Sequence, residues 1–195
     1  MKTFSILSVS FLNLAMAIYY YWLIYNKKIK PALAMWVFFT LAVGISLMTY
    51  MKQGNYSLWD NVLNTTDLFF VSSVALSILL FGDRSTRFNK FDLGCVLVVI
   101  LILIFWLFTQ NHLITNLMVQ GILVIAYFPV LKRMATTKEN NESYLIWAGM
   151  LLTSLLALIS TKGGLALIYT GRAVVCIVLL MMFMIWTDKN ARKRI

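Results

Sequence analysis

Asn13-Leu-Ala-Met-Ala-Ile-Tyr-Tyr-Tyr-Trp22 and Gln120-Gly-Ile-Leu-Val-Ile-Ala-Tyr-Phe-Pro129 carry one pattern twice: an amide side chain, an apolar stretch and an aromatic cluster. A basic loop follows each copy. Next comes an apolar run with an early tryptophan, Trp36 or Trp147, and then a short loop with a single lysine, Lys52 or Lys162. The third apolar run of each copy holds a charged residue, Asp67 in the first and Arg172 in the second. Internal repetition of this kind sets the architecture before any single element does.

Each repeated unit is three helices long. Of the 195 residues, 61% are hydrophobic and 12% charged, whereas a soluble domain carries about 25% charged residues. The apolar runs approach the ~20 residues needed to cross a hydrocarbon core. They cover 4–25, 32–51, 58–81, 93–108, 113–131, 144–159 and 165–186. The short-period alternation of outer-membrane strands is absent. The expected fold is therefore all-α and integral to a membrane, with seven transmembrane helices. A triplet of helices reverses direction an odd number of times, so the fourth span must intervene for both triplets to run the same way. The chain then divides into a first bundle, 1–81, a linker helix with its loops, 82–111, and a second bundle with a basic tail, 112–195. Parallel repeats of this type occur in secondary transporters.

Charge sets the expected orientation. Of 17 lysines and arginines, Arg172 lies inside a span, and Lys2, Lys52 and Lys162 fall on one side. The other thirteen, including Lys27, Lys28, Lys30, Arg84, Arg87, Lys90 and the tail 189–194, fall on the opposite side. The positive-inside rule puts the N-terminus outside and the C-terminus in the cytoplasm, as in a multi-pass protein of a bacterial-type plasma (inner) membrane. The net charge of +10 is thus spent on orientation, and no soluble domain remains to bind nucleic acid. The first run is longer than a signal h-region and ends in aromatics rather than a small-residue cleavage site, so it is expected to stay as a span. Cys95 and Cys176 read as packing residues, and the tail as an orienting anchor.

The stretch Tyr127-Phe-Pro129-Val-Leu-Lys-Arg133, followed by Thr137-Lys-Glu-Asn-Asn-Glu-Ser143 and then Trp147, resembles the SWEET and PQ-loop transporter superfamily. A proline near the cytoplasmic end of a helix, a basic stretch, a polar loop and a tryptophan early in the next helix make up its pattern. The motif covers about twenty residues and the 3+1+3 layout covers nearly the whole chain. The chain looks like a divergent bacterial-type member, which implies alternating access between two bundles, with substrate facing the third helix of each. The departures are clear. Val130 stands where a PQ-loop protein has glutamine, Trp22 replaces the first-copy proline, and Pro31 and Pro129 are the only prolines. The four helix-bending prolines of sugar-carrying members are therefore missing.

Depth and helical spacing select the candidate site. Asp67 lies eight residues after Trp59, and Arg172 eight after Gly164. At ~1.5 Å per residue each is about 12 Å into its helix, near the middle of a core about 30 Å thick. An ionised side chain there costs roughly 2.5–3.5 kcal/mol, so it is buried toward protein, paired or functional. The two charges would meet directly, as a structural salt bridge, or across a solute cavity. Helical spacing adds Asn64 beside Asp67, Tyr169 and Cys176 beside Arg172, the Asn116, Gln120 and Tyr127 stripe, Asn13 with Tyr20, Trp36 with Thr40, and Trp147 with Ser154. These side chains suit a small polar solute such as a sugar, amino acid, vitamin or organic acid. Pro129 and Tyr20 are hinge or gate candidates.

The bland readings stand beside these. The amides read equally as interhelical glue. Trp36 and Trp147 read equally as interfacial belt anchors, and most of the Tyr19–Tyr25 cluster as belt. His112 reads as a solvated loop residue. The chain has one histidine, no paired metal-ligand motif and no Walker loop. It is expected to be neither an enzyme nor a cofactor protein. Its expected partners are the bilayer, a small polar solute and a coupling proton. The sequence leaves homo-oligomerisation open, and it leaves a non-transporting sensor or scaffold as the alternative function.

Overall fold

A computed structural model of the chain describes residues 1–82, 90–140 and 142–192. Every regular element among them is helical: α1 Lys2–Tyr25, α2 Leu33–Gln53, a 3-10 turn Leu58–Asn61, α3 Val62–Phe81, α4 Lys90–Thr109, α5 His112–Ile125, α6 Phe128–Thr137, α7 Tyr144–Ala157 and α8 Gly164–Arg192. Expectations for Arg84, Arg87, Lys193 and Arg194, and for the side chains of Lys90, Cys95 and Arg192, fall outside the described residues. Five segments are long and apolar enough to cross a membrane: Lys2–Tyr25, Leu33–Gln53, Leu58–Phe81, His112–Thr137 and Gly164–Ala191. Val96–Thr109 and Tyr144–Ala157 are shorter apolar helices. The protein is an all-helical, multi-pass membrane-type chain.

Local chemistry explains where the elements stop and start. Ser57 and Asp60 form a reciprocal capping box over the 3-10 turn, and the Asn61 side chain then caps α3 by accepting from the Asn64 amide. The segment His112–Thr137 is one span broken in the middle. Pro129 has no amide hydrogen to return to the Ile125 carbonyl, and its ring crowds that turn. The chain responds with a two-residue turn, Ala126 and Tyr127, before α6 resumes. A proline break of this kind is the ordinary cause of a kink.

Packing produces a ring. Going round, α1 lies on α3, α3 on α2, α2 on α5, α5 on α8, α8 on α7, and α7 closes back onto α1. α4 lies outside the ring against α5 and α2. The outward faces are apolar at helical spacing, as with Phe4, Leu7, Phe11 and Ile18 of α1 or Val175, Leu179 and Met182 of α8. A continuous exposed apolar surface of this extent is a membrane-facing one. Tyr21, Trp22 and Tyr25 are exposed at the end of α1, in keeping with belt residues. Tyr20 departs from that expectation: it is fully buried, because it shares the inward stripe of Val9, Asn13 and Met16.

The belt reading of Trp36 and Trp147 is also corrected. Both are 0% exposed, and their ring centroids lie 6.2 Å apart. They meet across the ring of helices because each sits on the inward face of a helix that packs against the other half of the chain. Replacing Trp147 by alanine should therefore cost ~3–5 kcal/mol of stability, read as a large fall in the melting temperature of the detergent-purified protein. Trp22→Ala, at an exposed position, should change it little. Equal effects of the two substitutions would contradict this placement.

Candidate functional site

The ring closes on itself at three levels, and each level joins the first half of the chain to the second. Lys2, Lys52 and Lys162 mark one end of the molecule. There the Lys2 ammonium pairs with Asp60 at 2.8 Å, and the amide of Lys162 donates to the Asp60 carbonyl at 2.9 Å. Tyr50 donates its hydroxyl to the Lys162 carbonyl at 2.9 Å and stacks on Tyr56 with centroids 4.7 Å apart. The Ser5 hydroxyl reaches the Leu156 carbonyl at 2.6 Å and Ser160 at 2.9 Å. Gly163, with φ of +85°, lets the α7–α8 loop lie against Tyr56. A β-carbon there would come within 2.8 Å of the Tyr56 hydroxyl.

The middle level holds the charged pair. The Asp67 carboxylate accepts from the Tyr169 hydroxyl at 2.9 Å and from the Asn13 amide at 3.2 Å. The Arg172 Nε donates to the Gln120 carbonyl oxygen at 3.0 Å, and its guanidinium lies 4.9 Å from the Tyr169 ring centroid, a cation–π distance. No Asp67 oxygen lies within 4.0 Å of an Arg172 nitrogen: the only ion pair of that length among the described residues is Lys2–Asp60. The direct salt bridge is therefore not formed. The two charges instead line one small cavity, shared with Tyr127, Tyr169, Ser154 and apolar side chains including Phe39 and Leu123. Its volume is about 20 Å³, room for roughly one water molecule.

The remaining amides stand behind this cavity. The Asn116 amide donates to the Ser46 carbonyl and the Thr49 hydroxyl, both at 2.9 Å. Gln120 donates to the Ser46 hydroxyl at 3.1 Å and to Asn116 at 3.1 Å. The Asn64 amide lies 3.0 Å from the same Ser46 hydroxyl. Ser46 thus ties α2, α3 and α5 together. The structure brings Asp67, Arg172, Tyr169 and Tyr127 to the cavity wall. It places Asn13 and Gln120 behind the charges, and Asn64 and Asn116 in the Ser46 network. Sequence reasoning passed over Ser46 and Thr49. A serine on an inward stripe is the only signal they give, and spacing alone does not separate it from serines that bond back to their own helix, such as Ser72.

The third level lies toward the basic end. Trp36 and Trp147 fill it, with Phe39 and Tyr127 edge to face at 5.2 Å. The Tyr20 hydroxyl donates to Glu142 at 2.9 Å, and Trp147 Nε1 lies 3.4 Å from the same carboxylate oxygen. Arg133 donates to the Lys30 carbonyl. The other Glu142 oxygen has no hydrogen-bond partner among the described residues. Glu142 was not singled out from the sequence, since it reads there as one of several loop acids. His112, expected to be simply solvated, accepts from the Trp106 indole at 2.8 Å. No cluster of metal-ligating side chains occurs among the described residues.

No protein-family description matches this chain, and no curated protein or solved structure is significantly similar to it.

Glu142 lies in the loop between α6 and α7, outside the spans. Burial pushes its carboxyl up from 4.5 to about 7, against the opposing pull of Tyr20, Trp147 and Arg133. A group raised in the folded state contributes most below its ordinary value and loses that contribution as pH rises through the folded one. The melting temperature of the parent relative to Glu142→Gln should therefore fall between about pH 4.5 and pH 7. A difference that stays flat across this range would show that Glu142 does not titrate there.

Proposed function

We propose that the protein is a carrier of a small polar solute, with the solute taken between the two halves of the chain at Asp67 and Arg172. The observation that carries this reading is the placement of two opposite charges on one cavity, unpaired with each other, between a seal at either end. A purely structural pair would close to contact, because desolvation is offset only when the charges meet in good geometry. Here each charge is held by neutral groups, and the space between them, the size of one water in this closed state, would have to widen to admit a ligand.

The neighbour order of the helices supports a paired-bundle organisation. Exchanging α1, α2 and α3 for α5, α7 and α8 maps the ring onto itself, as a two-fold axis along the membrane normal requires. α4 outside the ring then serves as the linker helix. In this reading there are seven spans, the two bundles rock about the cavity, and the seals open in turn. The seal of Lys2, Asp60, Tyr50 and Lys162 opens to the exterior. The seal of Tyr20, Trp36, Trp147 and Glu142 opens to the cytoplasm. With both closed, the structure corresponds to an occluded state. The orientation rests on the basic residues and the location, a plasma membrane, on composition. The resemblance to the SWEET and PQ-loop superfamily agrees with this layout.

The second reading is a membrane sensor or scaffold of the same fold. It is favoured by the smallness of the cavity, about 20 Å³, and by the number of contacts that close both ends. Solute counterflow in proteoliposomes separates the two, because only a carrier exchanges labelled solute across the bilayer. For a carrier, Asp67→Asn and Arg172→Gln should each alter exchange while the protein still purifies as a monodisperse species. Exchange unchanged in both variants would remove the site assignment.

A further inference from the structure

The middle cavity is chemically lopsided, and its asymmetry points to one kind of solute. Its polar groups lie together on α3, α8 and the turn before α6: Asp67, Tyr169, Arg172 and Tyr127. Apart from Ser154, the sides supplied by α2, α5 and α7 are apolar, as with Val43, Leu123 and Met150. A sugar presents hydroxyls around its whole rim, and those turned to the apolar sides would be buried without partners, at a cost for each. A solute with one charged end and an apolar body would have no such groups.

The charged end is set by Arg172. Its Nε is committed to Gln120, and no carboxylate among the described residues lies within 4.0 Å of its nitrogens. Its guanidinium also hydrogen-bonds the neutral Tyr127 hydroxyl and Cys176 thiol, partners that a carboxylate would displace, while the Asp67 carboxylate stands beyond ion-pair distance. The terminal nitrogens of a guanidinium form a planar fork that matches a carboxylate in bidentate fashion. Among the described residues Arg172 is the one cationic side chain on the cavity wall, so the site offers a single positive charge and suits a monoanion better than a phosphate or dicarboxylate.

Asp67 supplies the charge balance. With Asp67 ionised and Arg172 protonated the cavity is neutral, and an incoming carboxylate would leave a net negative charge in a low-dielectric interior. One proton from water, bonded to an Asp67 carboxyl oxygen, restores neutrality and is released when the solute leaves. The groups around Asp67 permit this. From α8 it faces Tyr169 and Arg172, and from the turn before α6, Tyr127. Asn13 and Thr66 nearby are neutral, and α2 and α7 bring only neutral side chains to the cavity.

From this geometry, and resting on the carrier reading above, we infer that the solute is a small monocarboxylate with an apolar body. It is bound through its carboxylate to Arg172 and carried together with one proton on Asp67.

The test uses the purified full chain in proteoliposomes loaded with the pH dye pyranine, with protein-free liposomes to correct for leak. The labelled probes are lactate, 2-ketoisovalerate and nicotinate, compared with glucose and alanine. At least one carboxylate should exchange in counterflow, and its inward gradient should acidify the lumen. Arg172→Gln and Arg172→Lys should each lower exchange roughly tenfold or more. The lysine variant keeps the charge and loses the fork, so it guards against loss by misfolding. Asp67→Asn, which can neither take up nor release a proton, should lower exchange less than the Arg172 variants do and should abolish lumen acidification. Movement of glucose or alanine without any carboxylate, or carboxylate movement without protons, would overturn this inference and leave the carrier reading standing. If none of the five probes moved while the protein remained monodisperse, the inference would fall. If none of them shifted its melting temperature either, the carrier reading would fall with it.

Discussion

Two ionisable side chains of opposite sign have to be accommodated inside a ring of apolar helices, and much of the interior polar chemistry is arranged around that constraint. Left bare, each would be too costly to keep at that depth. Asp67 is met by Tyr169 from across the ring and by Asn13 from the neighbouring helix. Arg172 is met by Gln120, which is itself anchored on Ser46 and Asn116. The hydrogen bonds around the charges therefore tie α1, α3 and α8 on one side and α2, α5 and α8 on the other. Polar contacts between membrane helices contribute only about 0.6 kcal/mol each on average. Their larger effect here is positional, because they hold both charges at one cavity while keeping them apart.

The two ends are closed by different chemistry. At the three-lysine end the contacts are backbone carbonyls, hydroxyls, the Tyr50–Tyr56 stack and one part-exposed ion pair, the last of which contributes little. At the basic end the closure is an aromatic cluster around Trp36 and Trp147, with one buried carboxylate beneath it. Opening that end exposes large apolar area, and aromatic packing adds to the cost.

Much of the helical layout was legible because it follows from two robust signals, the length of apolar runs and the sign of the charges between them. Asp67 and Arg172 were legible for the same reason: a charge within an apolar run is conspicuous. Their relation was not. Spacing puts them at equal depth but leaves the ring order and the rotation of α3 and α8 unspecified, so contact and separation across a cavity were equally open. Trp36 and Trp147 show the same limit. A tryptophan near a helix end satisfies the belt pattern and the core pattern alike, and only the contact of α1 with α7 and of α2 with α5 decides between them. Glu142 was hidden because its hydrogen-bond partner, Tyr20, lies 122 positions away in sequence.

Pro129 links the break in the backbone to this end of the molecule. The matching position in the first half is Trp22, so α1 runs unbroken while the equivalent span is divided at Ala126 and Tyr127. Tyr127, like Phe39, both lines the cavity and packs in the aromatic cluster, where it meets Phe39 and Trp147. Bending in a helix concentrates where its hydrogen-bond ladder is interrupted. Tyr127 thus joins the cavity to the aromatic cluster at the break in this span. α1 has no such break. Near-symmetry in neighbour order thus coexists with asymmetry in helix continuity, which follows from a single proline present at this position in one half and absent from the other.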